Sequence, residues 1–254
     1  ADFVLNERDR YELKIAALLH DCGKVTTPVH VVDKATKLQT LFDRIGLIET
    51  RLEILRRDAE IARLQGEIDA AEFARQLAQI EGDRQFLRRV NAGGESMSDE
   101  DVARVAKIAA QHWRTADGAL QPLLTADEAE NLSIHKGTLN EAERRIINHH
   151  IDVTIQMLEA LPWPRHLRHV PEYAGAHHER MDGKGYPRGL TRAQMSIPAR
   201  MIGVADVFEA LTAADRPYKP GMKLSQALEI LARMAREQHI DADQIGRASC
   251  RERV

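Results

Sequence analysis

Aromatic residues are scarce in this 254-residue sequence, at 4 % of the total, which argues against a stacking platform for single-stranded nucleic acid. Sustained basic tracts are missing too. Lys and Arg number 36 against 39 Asp and Glu, a net charge of −3, so no nucleic acid polymer is expected as a partner. No apolar run approaches the length that crosses a bilayer, and no secretory signal is visible. The chain therefore reads as cytoplasmic, with no membrane span. Two cysteines, Cys22 and Cys250, are too few for a disulfide framework. The period-two alternation of β-strands is nearly absent, and the segment 29–32 (Val-His-Val-Val) is the best strand candidate.

Helical patterning is abundant instead. Leu13, Ile15, Ala16, Leu18 and Leu19 form an apolar helix over 11–21 that Gly23 ends. Asn140 with Glu143 makes a capping-box pattern that opens a helix to about Ala160, before Pro162. Pro198 marks the first turn of a helix toward Ala213, and Ser225 caps another. In the middle, Leu38, Leu41, Ile45, Ile48, Leu52, Leu55, Ala59 and Ala62 recur three and four apart, as in a heptad seam. A second seam follows Gly66 through Ala70, Phe73, Leu77, Ile80 and Leu87, and Ser98 with Asp101 caps a shorter helix.

The fold expected is all-α. Residues 38–133 form an inserted, coiled-coil-like helical hairpin with a solvated charged face and no chemistry of its own. That insertion offers a surface for a homodimer or for a neighbouring sensor-domain helix. The core would be 1–37 with 134–244, shortened at its N-terminus. Residues 245–254 back-translate to a stretch resembling a common sequencing adapter, and are expected to be a non-native tail.

Four groups of residues carry the chemistry. His20-Asp21 ends the first helix, and an imidazole beside a hard carboxylate suits a first-row divalent metal. Neighbouring helical side chains diverge by about 100°, so sharing one ion needs a helix end, which Gly23 supplies. Lys24 adds a cation useful against phosphate. His177-His178-Glu179 is followed by Asp182-Gly183-Lys184-Gly185-Tyr186-Pro187, a segment that reads as a tight exposed loop. Asp206 sits among apolar residues on a helix, so it needs a partner. His149 and His150 are adjacent, and periodicity does not choose between them. Taken singly, each group has a plain reading: a helix-end histidine, a turn, a paired acid.

Together, in this order and spacing, they resemble the HD-GYP family over Leu5–Thr36 and Gly137–Gln244. The resemblance implies an HD-domain helical bundle and hydrolysis of cyclic di-GMP to pGpG or GMP. It implies two divalent metal ions, iron or manganese, held by His20, Asp21, His150, His177, His178 and Asp206, with Asp21 bridging. His150 rather than His149 falls in the family's register. Asp21 and Lys24 would be catalytic; Lys24, Gly185, Tyr186, Arg216 and Lys219 would meet the substrate. Ligands for the third metal that some members hold would precede Ala1. An extra residue around Ala213-Ala214-Asp215 displaces Arg216 and Lys219 from the family's spacing. Two alternatives stand beside this reading: a catalytically inactive module that binds the dinucleotide or other proteins, and an HD phosphohydrolase acting on another nucleotide.

Overall fold

The structure, a computed structural model, describes residues 5–94, 96–213 and 221–249, with side chains as far as Ile245. Helix α1 spans Glu7–Leu19, α2 Val29–Val32, α3 Ile45–Leu64, α4 Ala70–Asn91, α5 Asp99–Ala109 and α6 Ala126–Leu132. They are followed by α7 Glu141–Asn148, α8 His150–Glu159, α9 Val170–Gly175, α10 Ile197–Thr212, α11 Leu224–Arg236 and α12 Ala242–Ser249. Strands β1 (His112–Arg114) and β2 (Leu120–Pro122) pair antiparallel, with Trp113 opposite Gln121. The fold is all-α apart from this small hairpin. No helix among the described residues is long and apolar enough to cross a membrane.

Local chemistry explains where the helices begin and end. Asn6 accepts hydrogen bonds from the Arg8 and Asp9 amides and starts α1. Asn140 and Glu143 exchange the two bonds of the expected capping box. The helix that they open does not run unbroken to Ala160: it ends at Asn148, and α8 starts afresh at His150. The segment 29–32 is a turn of helix rather than a strand. With no neighbouring strand to pair with, its backbone bonds locally, from Val32 N to Pro28 O (3.2 Å) and from Asp33 N to Val29 O (2.8 Å). α3 begins seven residues after the start of the expected seam, where the Asp43 carboxylate accepts from Ile45 N at 3.0 Å. Leu41 is accordingly 92 % exposed. The N-cap of α11 is Lys223 rather than Ser225.

The chain divides into two compact units, 28–146 and 1–27 with 147–254. In the first, α3 packs against α4. Arg88 pairs with Glu49 and Arg84 lies 3.9 Å from Glu53, so the two helices run antiparallel. Their apolar faces do more than zip together. Ile48, Leu52, Leu87 and Val90 join Val105, Ile108, Leu123 and Leu132 in one buried core. Arg51 makes two bonds to the buried Glu128, at 2.7 and 3.1 Å. Lys34 Nζ stands 2.8 Å from both oxygens of Glu143.

Lys37 is also buried here, 2 % exposed. Its ammonium donates to Leu132 O at 2.9 Å and lies 3.2 Å from Met97 Sδ. Burial lowers its pKa from 10.5 to about 8, against a smaller opposing pull from Asp101. Between those values the unfolded chain holds a proton that the folded chain does not, so stability rises with pH across this window. Relative to the wild type, Lys37→Met should lose about 3 kcal/mol of this alkaline gain. Denaturant melts of both proteins between pH 8 and 10.5 would measure it.

In the second unit, α1 packs on α9, the short 3₁₀ turn Cys22–Thr26 on α8, and α10 on α9, α11 and α12. Ala16, Leu158, Val170, Ala174 and Ile202 are buried together. Val204, Leu231 and Ile240 form a separate cluster, against which Ile245 packs.

Candidate metal centre

α1 stops where the chemistry begins. His20 caps its C-terminus, still at helical φ −55° and ψ −30°, and Asp21 leaves the helical region at φ −107°, ψ 11°. The following turn lies directly against α8: Gly23 N donates to Thr154 Oγ1 at 2.9 Å. A Cβ on Gly23 would come within 2.0 Å of the His150 carbonyl oxygen. Only glycine permits that approach, and through it Asp21 meets His150.

Three of the other five expected ligands lie within 4 Å of the Asp21 carboxylate, and the remaining two sit beside those three. Asp21 Oδ1 is 3.1 Å from His150 Nε2 and 3.8 Å from His177 Nε2. Its Oδ2 is 3.3 Å from His20 Nε2 and 2.5 Å from Lys24 Nζ. Asp206, from α10, approaches His20 Nε2 at 3.5 Å. The His178 ring centroid is 4.1 Å from that of His177 and 5.2 Å from that of His150. Donor atoms of His150, His177 and His178 lie within 4.8 Å of one another, as do those of His20, Asp21 and His177. The two triads share His177. His149 is exposed and pairs with Asp152 at 3.1 Å, so the break before α8 turns His150, not His149, toward Asp21.

The hydrogen bonding prepares the imidazoles as ligands. In His20, His150 and His177, Nδ1 meets the carbonyl three residues back, of Ala17, Ile147 and Ala174. A carbonyl only accepts, so Nδ1 carries a proton and Nε2 is the atom left to face a cation. Asp21 Oδ1, His150 Nε2 and His177 Nε2 are buried without a hydrogen-bond partner. Such atoms are costly to leave unsatisfied. Their convergence fits a cation.

Electrostatics agree. Burial holds His177 down to about 4 and, helped by His177, His178 down to about 3. Both are therefore neutral and metal-competent at physiological pH. Burial works against the charge on His20, yet its bonds to Asp206 and Asp21 outweigh that and push it up to about 10. A proton thus takes the place that a cation would fill. Burial also opposes the charge on Asp21, but contacts to His150, His20 and Lys24 hold its carboxyl well below the usual range.

Beside these residues lies a cavity of about 370 Å³, lined in part by His177, His178, Gly185, Tyr186 and Asp206. The Tyr186 ring stacks on His178, with centroids 4.8 Å apart and planes 21° from parallel. Gly185 has a packing reason of its own, since a Cβ there would fall 2.4 Å from Arg180 N. Arg216 and Lys219 lie outside the described residues.

Glu179 received no role from the sequence, though it sits inside the motif. It is 4 % exposed, and its two oxygens accept from Arg188 N and Leu190 N, both at 2.8 Å. It thereby closes the loop that carries Tyr186. The signal that could have found it is the triplet itself: an acid directly after two candidate ligand histidines needs partners for both oxygens. Glu179→Gln puts an N–H donor against one of those amides. A loss of about 1–3 kcal/mol is expected, read as a lower Tm with faster amide exchange at Arg188 and Leu190.

Two family models described as HD domain match the chain, over residues 3–132 and 125–243. A 3′3′-cGAMP-specific phosphodiesterase of Vibrio cholerae is 45 % identical over 39 % of this chain and 22 % of its own length. A cyclic di-GMP phosphodiesterase of Pseudomonas aeruginosa is 52 % identical over 22 % of this chain and 13 % of its own. The cyclic di-GMP phosphodiesterase response regulator RpfG of Xanthomonas campestris is 30 % identical over 55 % of this chain and 39 % of its own. The chain thus spans well under half the length of these relatives. With its His-Asp pair and intact Gly-Tyr-Pro loop, the chain belongs to the HD domain family, in its HD-GYP branch.

Proposed function

We propose that this chain is a metal-dependent phosphodiesterase that hydrolyses cyclic di-GMP to pGpG or GMP, using two divalent ions, iron or manganese. The observation that carries this reading is the convergence of three buried, unpartnered donor atoms, Asp21 Oδ1, His150 Nε2 and His177 Nε2, beside the cavity. Imidazole with carboxylate favours iron or manganese over the thiolate-rich sites of structural zinc. His20, Asp21, His150, His177, His178 and Asp206 would hold the ions, with Asp21 a member of one triad and 3.1 Å from His150 of the other. Bound there, the ions would supply Lewis acidity to a phosphoryl oxygen and lower the pKa of an attacking water.

The protein's own part is orientation and charge. The Nδ1 bonds fix the ligand rings before substrate arrives, and Asp21 and Asp206 supply anions to balance the cations. Lys24, already at Asp21, brings a positive charge to where the phosphoryl oxygens gain negative charge. Tyr186, braced on His178 and held by the loop that Glu179 closes, forms the substrate-facing edge.

The names of the Vibrio cholerae relatives favour a second substrate, 3′3′-cGAMP. Both are tested together. The protein is loaded anaerobically with Fe(II) or Mn(II), given each dinucleotide, and the products are separated by chromatography. Metal-dependent linear dinucleotide or mononucleotide is expected from cyclic di-GMP. Faster cleavage of 3′3′-cGAMP would move the assignment to that substrate. Bound metal and bound dinucleotide without any product would overturn the enzyme and leave a binding module.

A further inference from the structure

The cavity has a side that the metal chemistry does not use. Arg180 and His239 line it together with His177, His178 and Asp206. Arg180 is not a loose surface cation. Its Nε and Nη2 bind the two oxygens of Asp182 at 3.1 and 2.9 Å, a side-on bidentate pair. Its backbone is fixed as well, because the next two amides, Met181 N and Asp182 N, donate to His239 O and Gln238 O at 3.4 and 3.2 Å. These carbonyls belong to the turn that closes α11, so both lining residues are held on ordered backbone.

A guanidinium has five N–H donors in one plane. Pairing through Nε and Nη2 leaves Nη1 and the outer N–H of Nη2 as a second, pre-oriented fork. Two parallel donors match two parallel acceptors. Guanine offers such a pair in N7 and O6, whereas adenine offers N7 beside the N6 amino group, a donor. An Arg fork therefore separates the two purines, and a buttressing carboxylate fixes its plane in advance.

We propose that Arg180, braced by Asp182 and flanked by His239, is the base-reading element of this cavity and selects guanine over adenine. This rests on the cyclic-dinucleotide reading above. A hydrophobic or merely phosphate-gripping wall would not discriminate between purines.

The test measures equilibrium binding of cyclic di-GMP and cyclic di-AMP to the metal-free full chain, and kcat/KM for both on the metal-loaded chain. Arg180→Gln and Arg180→Lys are compared with wild type; the lysine keeps an ion pair with Asp182 but loses the fork. Wild type should prefer the guanine dinucleotide by about tenfold or more. Both variants should move that ratio toward one by losing affinity for cyclic di-GMP alone. No guanine preference in wild type, or an equal loss for both ligands in both variants, would overturn the proposal. Selective binding that disappears in the variants, with no turnover of either ligand, would sink the phosphodiesterase reading while this one stands.

Discussion

Asp21→Ala should lower turnover of cyclic di-GMP by about a thousandfold or more, with loss of bound metal measured on the same preparation. Among the described residues of the centre, no other side chain lies within 4.0 Å of as many ion-pair partners. Its oxygens approach His150, His177, His20 and Lys24, so its removal takes the anion from one triad and from beside His150 of the other. The neighbours cannot rearrange to replace it. His150 and His177 are tied through Nδ1 to the carbonyls of Ile147 and Ala174, and Asp206 reaches only His20 within salt-bridge distance among the described residues. His149→Ala makes the sharp contrast. That ring is exposed and pairs with Asp152, so metal content and turnover should both stay at the wild-type level.

Gly23→Ala is expected to be nearly as damaging, though it removes no functional group. The added methyl would stand 2.0 Å from His150 O and 2.7 Å from Thr154 N. Both are backbone atoms of α8, so neither can swing aside as a flexible side chain could. The turn must lift away from the helix, breaking the 2.9 Å bond from Gly23 N to Thr154 Oγ1 and parting Asp21 from His150. A destabilisation of about 3 kcal/mol or more is expected, in the range of overpacked cores and broken buried networks. Thermal melting and metal titration should report it together. Thr154→Val, which removes only the hydroxyl acceptor, should cost less, about 1–3 kcal/mol.

The clustering of these residues was legible in the chain because most of them sit at breaks in helical pattern. His20-Asp21 before Gly23 announces a helix end, and a helix end is what allows adjacent side chains to converge. His177-His178 precedes a run that glycine and proline keep from being helical. Asp206 is conspicuous as an acid among apolar residues. The choice between His149 and His150 was not legible from periodicity, because the interruption between α7 and α8 resets the helical phase at that point. Glu179 was passed over because its partners are backbone amides nine and eleven residues away, which no side-chain pattern records.

The region around 28–146 was read less well, for a different reason. Heptad spacing describes how α3 and α4 meet, but not what else covers them. Val105, Ile108, Leu123 and Leu132 come from separate elements and complete a core with them, and no periodic signal links those positions. The short pairing of β1 with β2 closes on local turn bonds, Gly118 N to Thr115 O and Thr115 N to Ala119 O, both at 2.9 Å, and its three-residue strands are too short for alternation to show. Lys34 and Lys37 look like solvated charges in sequence, yet both are buried.

Hydrolysis of the proposed kind requires that the His/Asp cluster bind divalent metal. Its most direct test is a titration of the metal-free protein with Mn(II), counting ions bound per chain while following cyclic di-GMP cleavage in the same samples. Saturation at two ions is expected, with cleavage appearing as the cluster fills and both lost in Asp21→Ala. Cleavage by the chelated protein, or full metal uptake in Asp21→Ala, would contradict it.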